Sequence, residues 1–120
     1  MNEIRLHAES IDAFFSRASK AAWEIDAGTM VAAPASLAFE TTEGLLKVLT
    51  PNRWTLLRKL RASGSSSIRA LAQALGRDYR GVHADVTALL ETGLIEKAGD
   101  GRISVPWERI TAEMSLGIAA

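Results

Sequence analysis

A chain of 120 residues has room for one core and little more; with hydrophobic residues at 48%, it is not a disordered polymer. Cysteine is absent, which removes disulfides, thiolate catalysis and cysteine-based zinc sites together. The formal charge is zero, which at first weighs against a nucleic-acid partner; the apolar runs are too short to cross a bilayer and MNEIRLHAES is no signal peptide, so a cytoplasmic protein is expected.

Glu3 to Ala8 alternates, with Ile4, Leu6 and Ala8 on one side, and predicts a short strand. From Glu9 the period changes. Ile11, Phe14, Phe15, Ala18, Ala22 and Ile25 recur every three or four residues, so a helix from about Ser10 to Ile25 carries an apolar stripe. Gly28 ends it and a loop runs to Pro34. Ser36 to Glu40 reads as a second strand, and Thr41 or Thr42 caps a short helix holding Leu45, Leu46 and Val48. This front half either completes the monomer's core or supplies a dimer or partner interface, and the two roles are compatible. Its candidate interface residues are Ile11, Phe14, Phe15, Ala18 and Trp23.

Thr50-Pro51 is a helix start, threonine as cap and proline in the first turn. Along Pro51 to Ala62, Trp54, Leu57 and Leu60 are expected to face inward, with Arg53, Arg58, Lys59 and Arg61 outside. Ser63-Gly64-Ser65 reads as a turn. Ser66 or Ser67 then caps a helix with Ile68, Leu71, Ala72 and Leu75 on one face, and Gly76 stands where it must stop. Asp78 caps the next helix, in which Val82, Val86, Leu89, Leu90 and Leu94 point inward. Tyr79, Arg80, His83, Ala84 and Thr87 are left as one outward stripe. Leu94 to Lys97 and Arg102 to Val105 alternate about Gly99-Asp100-Gly101, a hairpin signal. Val105-Pro106-Trp107 breaks that strand. Ile110, Ala112, Met114 and Leu116 alternate again, predicting a last strand that pairs with one of the N-terminal strands, a helix being the competing reading. Gly117 to Ala120 is expected to fray.

The fold class expected is α+β, mainly helical: a winged helix-turn-helix over residues 50–120, preceded by a strand–helix–strand extension over residues 1–49. Charge is distributed along the same division. Residues 1–50 hold four basic against seven acidic residues, and residues 51–102 hold nine against five. An acidic front and a basic middle point to two surfaces with different partners.

A helix whose exposed face is small, polar and basic has the composition of one that enters a DNA major groove. Arg77 at the turn and Arg80 in the first turn of that helix reach a phosphate or a guanine edge, and Arg80 is the strongest candidate for reading a base. Tyr79 donates its hydroxyl to a phosphate, or packs on Leu75 or on the hairpin wing. His83 and Thr87 share the face of Arg80. Ser67 and Arg69 open the preceding helix, where free N–H groups favour phosphate. Lys97 and Arg102 flank the hairpin tip and suit phosphate or minor-groove contact. Asp85 reads as an ion-pair partner that orients a nearby arginine. Gly81 costs helix stability but lets the backbone come close to DNA.

The run from Leu49 to Ile110, with LTPNRWTLLRKL, SIRALAQALGRDYRGVHADVTALLETGLIE and the DGRISVP hairpin in this order, resembles the predicted winged-helix transcriptional regulators of MarR-like appearance found in archaea and bacteria. The likeness covers roughly Phe39 to Ile110, and RDYRGVHADV is its most specific part. Gly81 and Ala84 depart from it, standing where bulkier or basic residues often occur, which implies fewer base contacts there. The resemblance implies a sequence-specific, dimeric DNA-binding regulator, a repressor of its own operon; some members resemble the antitoxin of a small adjacent toxin, which would place a toxin contact on the acidic front half.

An enzyme is not expected. His7 and His83 stand far apart with no serine or carboxylate constellation, and neither a glycine-rich phosphate loop nor a metal-ligand spacing occurs, so no cofactor or metal is anticipated. Glu40 and Glu43 flank a helix start, where its dipole explains them. The reading that competes with DNA binding is a winged-helix protein–protein module, favoured by the neutral overall charge and by Gly81 and Ala84.

Overall fold

The computed structural model describes residues 2–27 and 35–116. The protein is α+β and about half helical, with five helices and two small sheets among the described residues. Strand β1 (Glu3–Ala8) is followed by helix α1 (Ile11–Ala27), β2 (Ala35–Phe39), α2 (Thr42–Val48) and α3 (Pro51–Ser63). Then come β3 (Ser65–Ser66), α4 (Ile68–Leu75), α5 (Tyr79–Thr92), β4 (Glu96–Lys97), β5 (Ile103–Ser104) and β6 (Arg109–Glu113). The loop expected over residues 28–34 and the fraying expected over residues 117–120 lie outside the described residues. None of the described helices is long and apolar enough to cross a membrane.

The chain divides into two compact units. The first takes Glu3–Leu45 together with the chain from Arg109 onward; the second takes Leu46–Glu108. The division falls between Leu45 and Leu46 and again between Glu108 and Arg109, where the sequence suggests a single boundary at residues 49 and 50. The C-terminal strand belongs with the front of the chain because β6 pairs with β1, Ile4 opposite Ile110 and Leu6 opposite Ala112.

In the first unit β1 is the middle strand of a sheet ordered β2-β1-β6, parallel to both neighbours. Period-two alternation sorts its residues onto two faces. Ile4 and Leu6 align with Ala35, Leu37, Ile110 and Ala112 to make an apolar face, on which Ile4 and Leu6 are buried. Glu3, Arg5 and His7 align with Ser36, Ala38, Arg109, Thr111 and Glu113 to make a polar one. Arg5 pairs with Glu113 and Arg109 with Glu3 across the strands. The parallel step from β1 to β2 needs a crossover, and α1 supplies it. Glu9, between strand and helix, accepts from Arg17 Nε at 3.2 Å and lies 3.7 Å from His7 Nδ1. The sequence leaves open whether the apolar stripe of α1 joins the monomer's core. Among the described side chains it does not: every residue from Ile11 to Lys20 is exposed.

The second unit has the larger core. Leu56, Leu57 and Leu60 of α3, Leu71 and Ala72 of α4, and Val82, Val86 and Leu89 of α5 bury against Leu94, Ile95, Ile103 and Val105. The stripe on α3 is therefore displaced from the expected one. Leu56 is fully buried, whereas Trp54, in the first helical turn, is half-buried. Thr50 caps α3, its Oγ1 accepting from Arg53 N at 3.2 Å. Ser65 and Ser66 are not a simple turn. They pair antiparallel with β5, which pairs with β4, so the hairpin belongs to a three-stranded sheet ordered β3-β5-β4. The hairpin tip closes through Ala98 N to Arg102 O at 2.8 Å and Gly101 N to Ala98 O at 3.0 Å, with Gly101 at φ 85°, a backbone that favours glycine.

Truncating the second core at its centre should cost accordingly. Leu89→Ala, at a fully buried position, is expected to lower unfolding free energy by about 2–5 kcal/mol, read from the shift of a urea denaturation curve with an unchanged slope.

Candidate nucleic-acid interface

The candidate surface is built on α4 and α5 and the turn that joins them. Ser67 caps α4, its Oγ accepting from Ala70 N at 3.1 Å. The helix closes on Gly76, left-handed at φ 64°, where Gly76 N donates to Gln73 O at 3.1 Å and Arg77 N to Ala72 O at 3.0 Å. A side chain at Gly76 would oppose that backbone, so the turn depends on glycine. Asp78 then caps α5, Oδ2 accepting from Gly81 N at 3.2 Å. A turn of three residues, both ends capped, sets where α5 begins.

Tyr79, Arg80, His83, Ala84 and Thr87 are all exposed on α5 and form the stripe that the helical period predicts. They are not equivalent. Tyr79 stands beside His83, ring centroids 5.8 Å apart, and the Arg69 guanidinium of α4 lies over the Tyr79 ring at 5.2 Å. That stack holds Arg69 at the α4–α5 junction. Thr87 Oγ1 donates back to His83 O at 2.9 Å, which leaves its methyl and its lone pairs facing out. Arg80 has no hydrogen bond or ion pair among the described residues and is free to reach outward.

Arg77 is placed differently. Its Nη2 lies 2.9 Å from Asp85 Oδ2, and its side chain is 27% exposed. On the other carboxylate oxygen, Arg53 Nε donates to Asp85 Oδ1 at 3.0 Å, while Arg53 Nη1 donates to Val48 O at 3.0 Å. Asp85, 15% exposed, thus lies between two arginines from α3 and from the α4–α5 turn. Arg53 was expected outside and is instead drawn in, because a carboxylate one helix away offers it a partner that solvent on the outer face of α3 does not. Asp85 is the ion-pair partner that its position suggested. Gly81 acquires a second role here: a Cβ built on it would come within 3.3 Å of Arg77 Nη2. The absent side chain leaves the space in which Arg77 lies. Arg53 was missed by the sequence reading; Arg77, Gly81 and Asp85, four residues apart in turn, were the available signal that one side of α5 is reserved for an internal contact.

At the hairpin, Lys97 is exposed. Arg102 is exposed but anchored: Nε donates to Ser65 Oγ and Nη2 to Ser65 O, both at 2.9 Å. Because β3 runs directly into Ser67, this ties the hairpin to the start of α4. Trp107 Nε1 donates to Gly93 O at 3.0 Å and fixes the chain after the hairpin to the end of α5.

The expected contact residues therefore fall into two groups. Arg69, Tyr79, Arg80, His83 and Thr87 share one exposed face of α4 and α5, and Ser67 with Lys97 and Arg102 flank it along the chain; Arg77 is turned inward. The candidate interface residues Ile11, Phe14, Phe15, Ala18 and Trp23 lie in the other unit, all exposed.

The ion triad separates structural from surface arginines, and stability measures the separation. Asp85→Ala leaves two part-buried guanidinium groups facing each other and is expected to cost about 2–4 kcal/mol. Arg80→Ala should stay within about 0.5 kcal/mol of the parent chain. Thermal or urea unfolding of the two variants side by side decides the point.

No curated protein and no solved structure matches the chain. The model of the HVO_A0114 family matches residues 48–112, which span α3 to β6 apart from the last residue of that strand. The chain belongs to the HVO_A0114 family.

Proposed function

We propose that this chain is a sequence-specific DNA-binding transcriptional regulator whose second unit is a winged helix-turn-helix. The observation that carries the reading is the division of labour on α5: one side is anchored by Arg77 and Asp85, while the opposite stripe of Tyr79, Arg80, His83, Ala84 and Thr87 faces solvent with Arg80 unpaired. A recognition helix needs both properties. Its position must be held by contacts that do not involve DNA, and its reading face must be free of internal partners.

In this reading Arg80 forks onto the O6 and N7 of a guanine, and Thr87 presents its methyl to a thymine. Arg69, held on the Tyr79 ring, and the free amides at the start of α4 beside Ser67 meet phosphate. Lys97 and Arg102 on the hairpin meet phosphate or the minor groove. Arg77 acts as a positioning residue. A repressor of its own operon is the role that the earlier resemblance supports.

One observation favours a second reading, a winged-helix module that binds protein. Of the basic residues of the candidate surface, Arg77 is paired to Asp85 and Arg102 is bonded to Ser65, which leaves few cations uncommitted on a chain of zero net charge.

Fluorescence anisotropy on the DNA upstream of the chain's own coding region, against scrambled DNA over a salt series, separates the two. DNA reading predicts tight binding to the upstream DNA and a steep salt slope. Arg80→Ala is expected to lose about 1–3 kcal/mol of discrimination at one base position, and Lys97→Ala to weaken binding evenly with the slope reduced by about one. Equal, weak binding to both DNAs at moderate salt would sink the DNA reading in favour of the protein-binding one.

A further inference from the structure

Helix α1 and strand β2 are built as though another surface covered them. Ile11, Phe14, Phe15 and Ala18 share one stripe of α1 at helical spacing, with Ile11 52%, Phe14 43% and Phe15 61% exposed. Trp23, 68% exposed, sits off that stripe. A helix of 17 residues draws most of its stability from burying such a stripe, not from its own hydrogen bonds. The described residues of the first unit do not offer that burial to Ile11, Phe14 and Phe15. Arg17 of α1 lines a pocket with Ile4, Arg5, Ala35, Ser36 and Thr111, residues from both faces of the sheet. Between α1 and β2 runs a cleft of about 460 Å³, lined by Ile11, Phe14, Leu37 and Phe39 together with Glu9, Arg17 and Glu40.

The two edges of the sheet differ in the way that matters for pairing. β6 carries Arg109 and Glu113, each engaged in a charge pair with β1, and charges on an edge strand discourage addition of another strand. β2 is Ala-Ser-Leu-Ala-Phe, with no charge and no proline, and it has no strand partner on its outer side among the described residues. An uncharged, unblocked edge is a template for pairing. A β2-to-β6 addition would run on without closing and would meet the charged edge. β2 against β2, antiparallel about a twofold axis, closes after two copies and uses the same surface on both.

We propose that the first unit pairs with a second copy of this chain, β2 beside β2 in a continuous six-stranded sheet, with the α1 stripes meeting over the seam. A twofold axis normal to the sheet puts both α1 helices on the same side of it, flanking the new junction. The area argues for using both elements. The exposed parts of Ile11, Phe14 and Phe15 amount to roughly 300 Å², well short of the ~800 Å² per partner that a stable interface takes. The edge strand and the cleft beside it are the adjoining surfaces that would have to supply the remainder. The pairing stands independently of the DNA reading, since it uses only the first unit.

The chain has no cysteine, so single cysteines placed in turn at residues 35 to 39 report on self-pairing without background. Sedimentation equilibrium of the full chain is expected to give a dimer at micromolar concentration. Mild oxidation should give a disulfide-linked dimer with a maximum at one position within β2 that falls off on both sides, as only the residue nearest a twofold axis meets its own copy. Phe15→Glu, at an exposed position, should raise the dimer dissociation constant at least tenfold and reduce the β2 cross-link in proportion. A chain that sediments as a monomer throughout, or a dimer whose cysteine scan has no maximum in β2, overturns the proposal. Either result would return the α1 stripe to a different protein.

Discussion

Asp85 holds the second unit together at the point where three elements meet. Its carboxylate accepts from Arg53 on α3 and lies against Arg77 at the start of the α5 segment, while Arg53 continues to the carbonyl of Val48 at the end of α2. Two arginines and one carboxylate leave a local excess of one positive charge in partly buried surroundings. Such a cluster is retained only if geometry satisfies it, since a guanidinium without a partner there costs several kcal/mol. The backbone at Gly81 is part of that geometry, because a Cβ there would come within 3.3 Å of the Arg77 guanidinium and shift it by a few tenths of an ångström. The angular position of α5 about its own axis follows from this contact together with Val82, Val86 and Leu89 on the same inward side.

That constraint changes the meaning of a charge count. The middle of the chain is basic, and a surplus of arginine and lysine in a small helical module resembles an electrostatic footprint for a polyanion. The structure shows what several of these cations do. Arg53 and Arg77 neutralise a carboxylate, Arg102 secures the hairpin to Ser65, and Arg69 lies on the ring of Tyr79. Arg80 and Lys97 are the cations of the proposed surface with no partner among the described residues. A surface of this kind would draw its specificity from a few well-placed side chains more than from a strong field.

The first unit poses a complementary problem. On the apolar face of its sheet Ile4 and Leu6 are buried, and its central polar row is occupied by Arg5 with Glu113 and by His7 beside Glu9. Its helix is left with aromatic side chains in water. Parallel sheets ordinarily have both faces covered, and an amphipathic crossover helix ordinarily buries its stripe. That Ile11, Phe14, Phe15 and Ala18 stay exposed in the single chain is the physical ground for the proposed pairing with a second copy.

Much of the secondary structure was legible in the sequence because local rules specify it. The alternation of Glu3–Ala8, the caps Thr50, Ser67 and Asp78, the stop at Gly76 and the turn about Gly101 are each decided within a few residues of themselves. The outward stripe on α5 was equally legible, since a helical period and a few buried aliphatics leave only one side for the polar residues. What needed the tertiary structure were the decisions that depend on residues far apart in the chain. Arg53 turns inward because Asp85, thirty-two residues later, faces it; Ser65–Ser66 becomes a strand because β5 passes alongside; and β6 joins the front unit because Ile110 and Ala112 align with Ile4 and Leu6. Periodicity determines which residues want burial or a charge partner. Only the assembled fold decides which partner is within reach: Arg17 of α1 finds Glu9, while Ile11, Phe14 and Phe15 stay exposed.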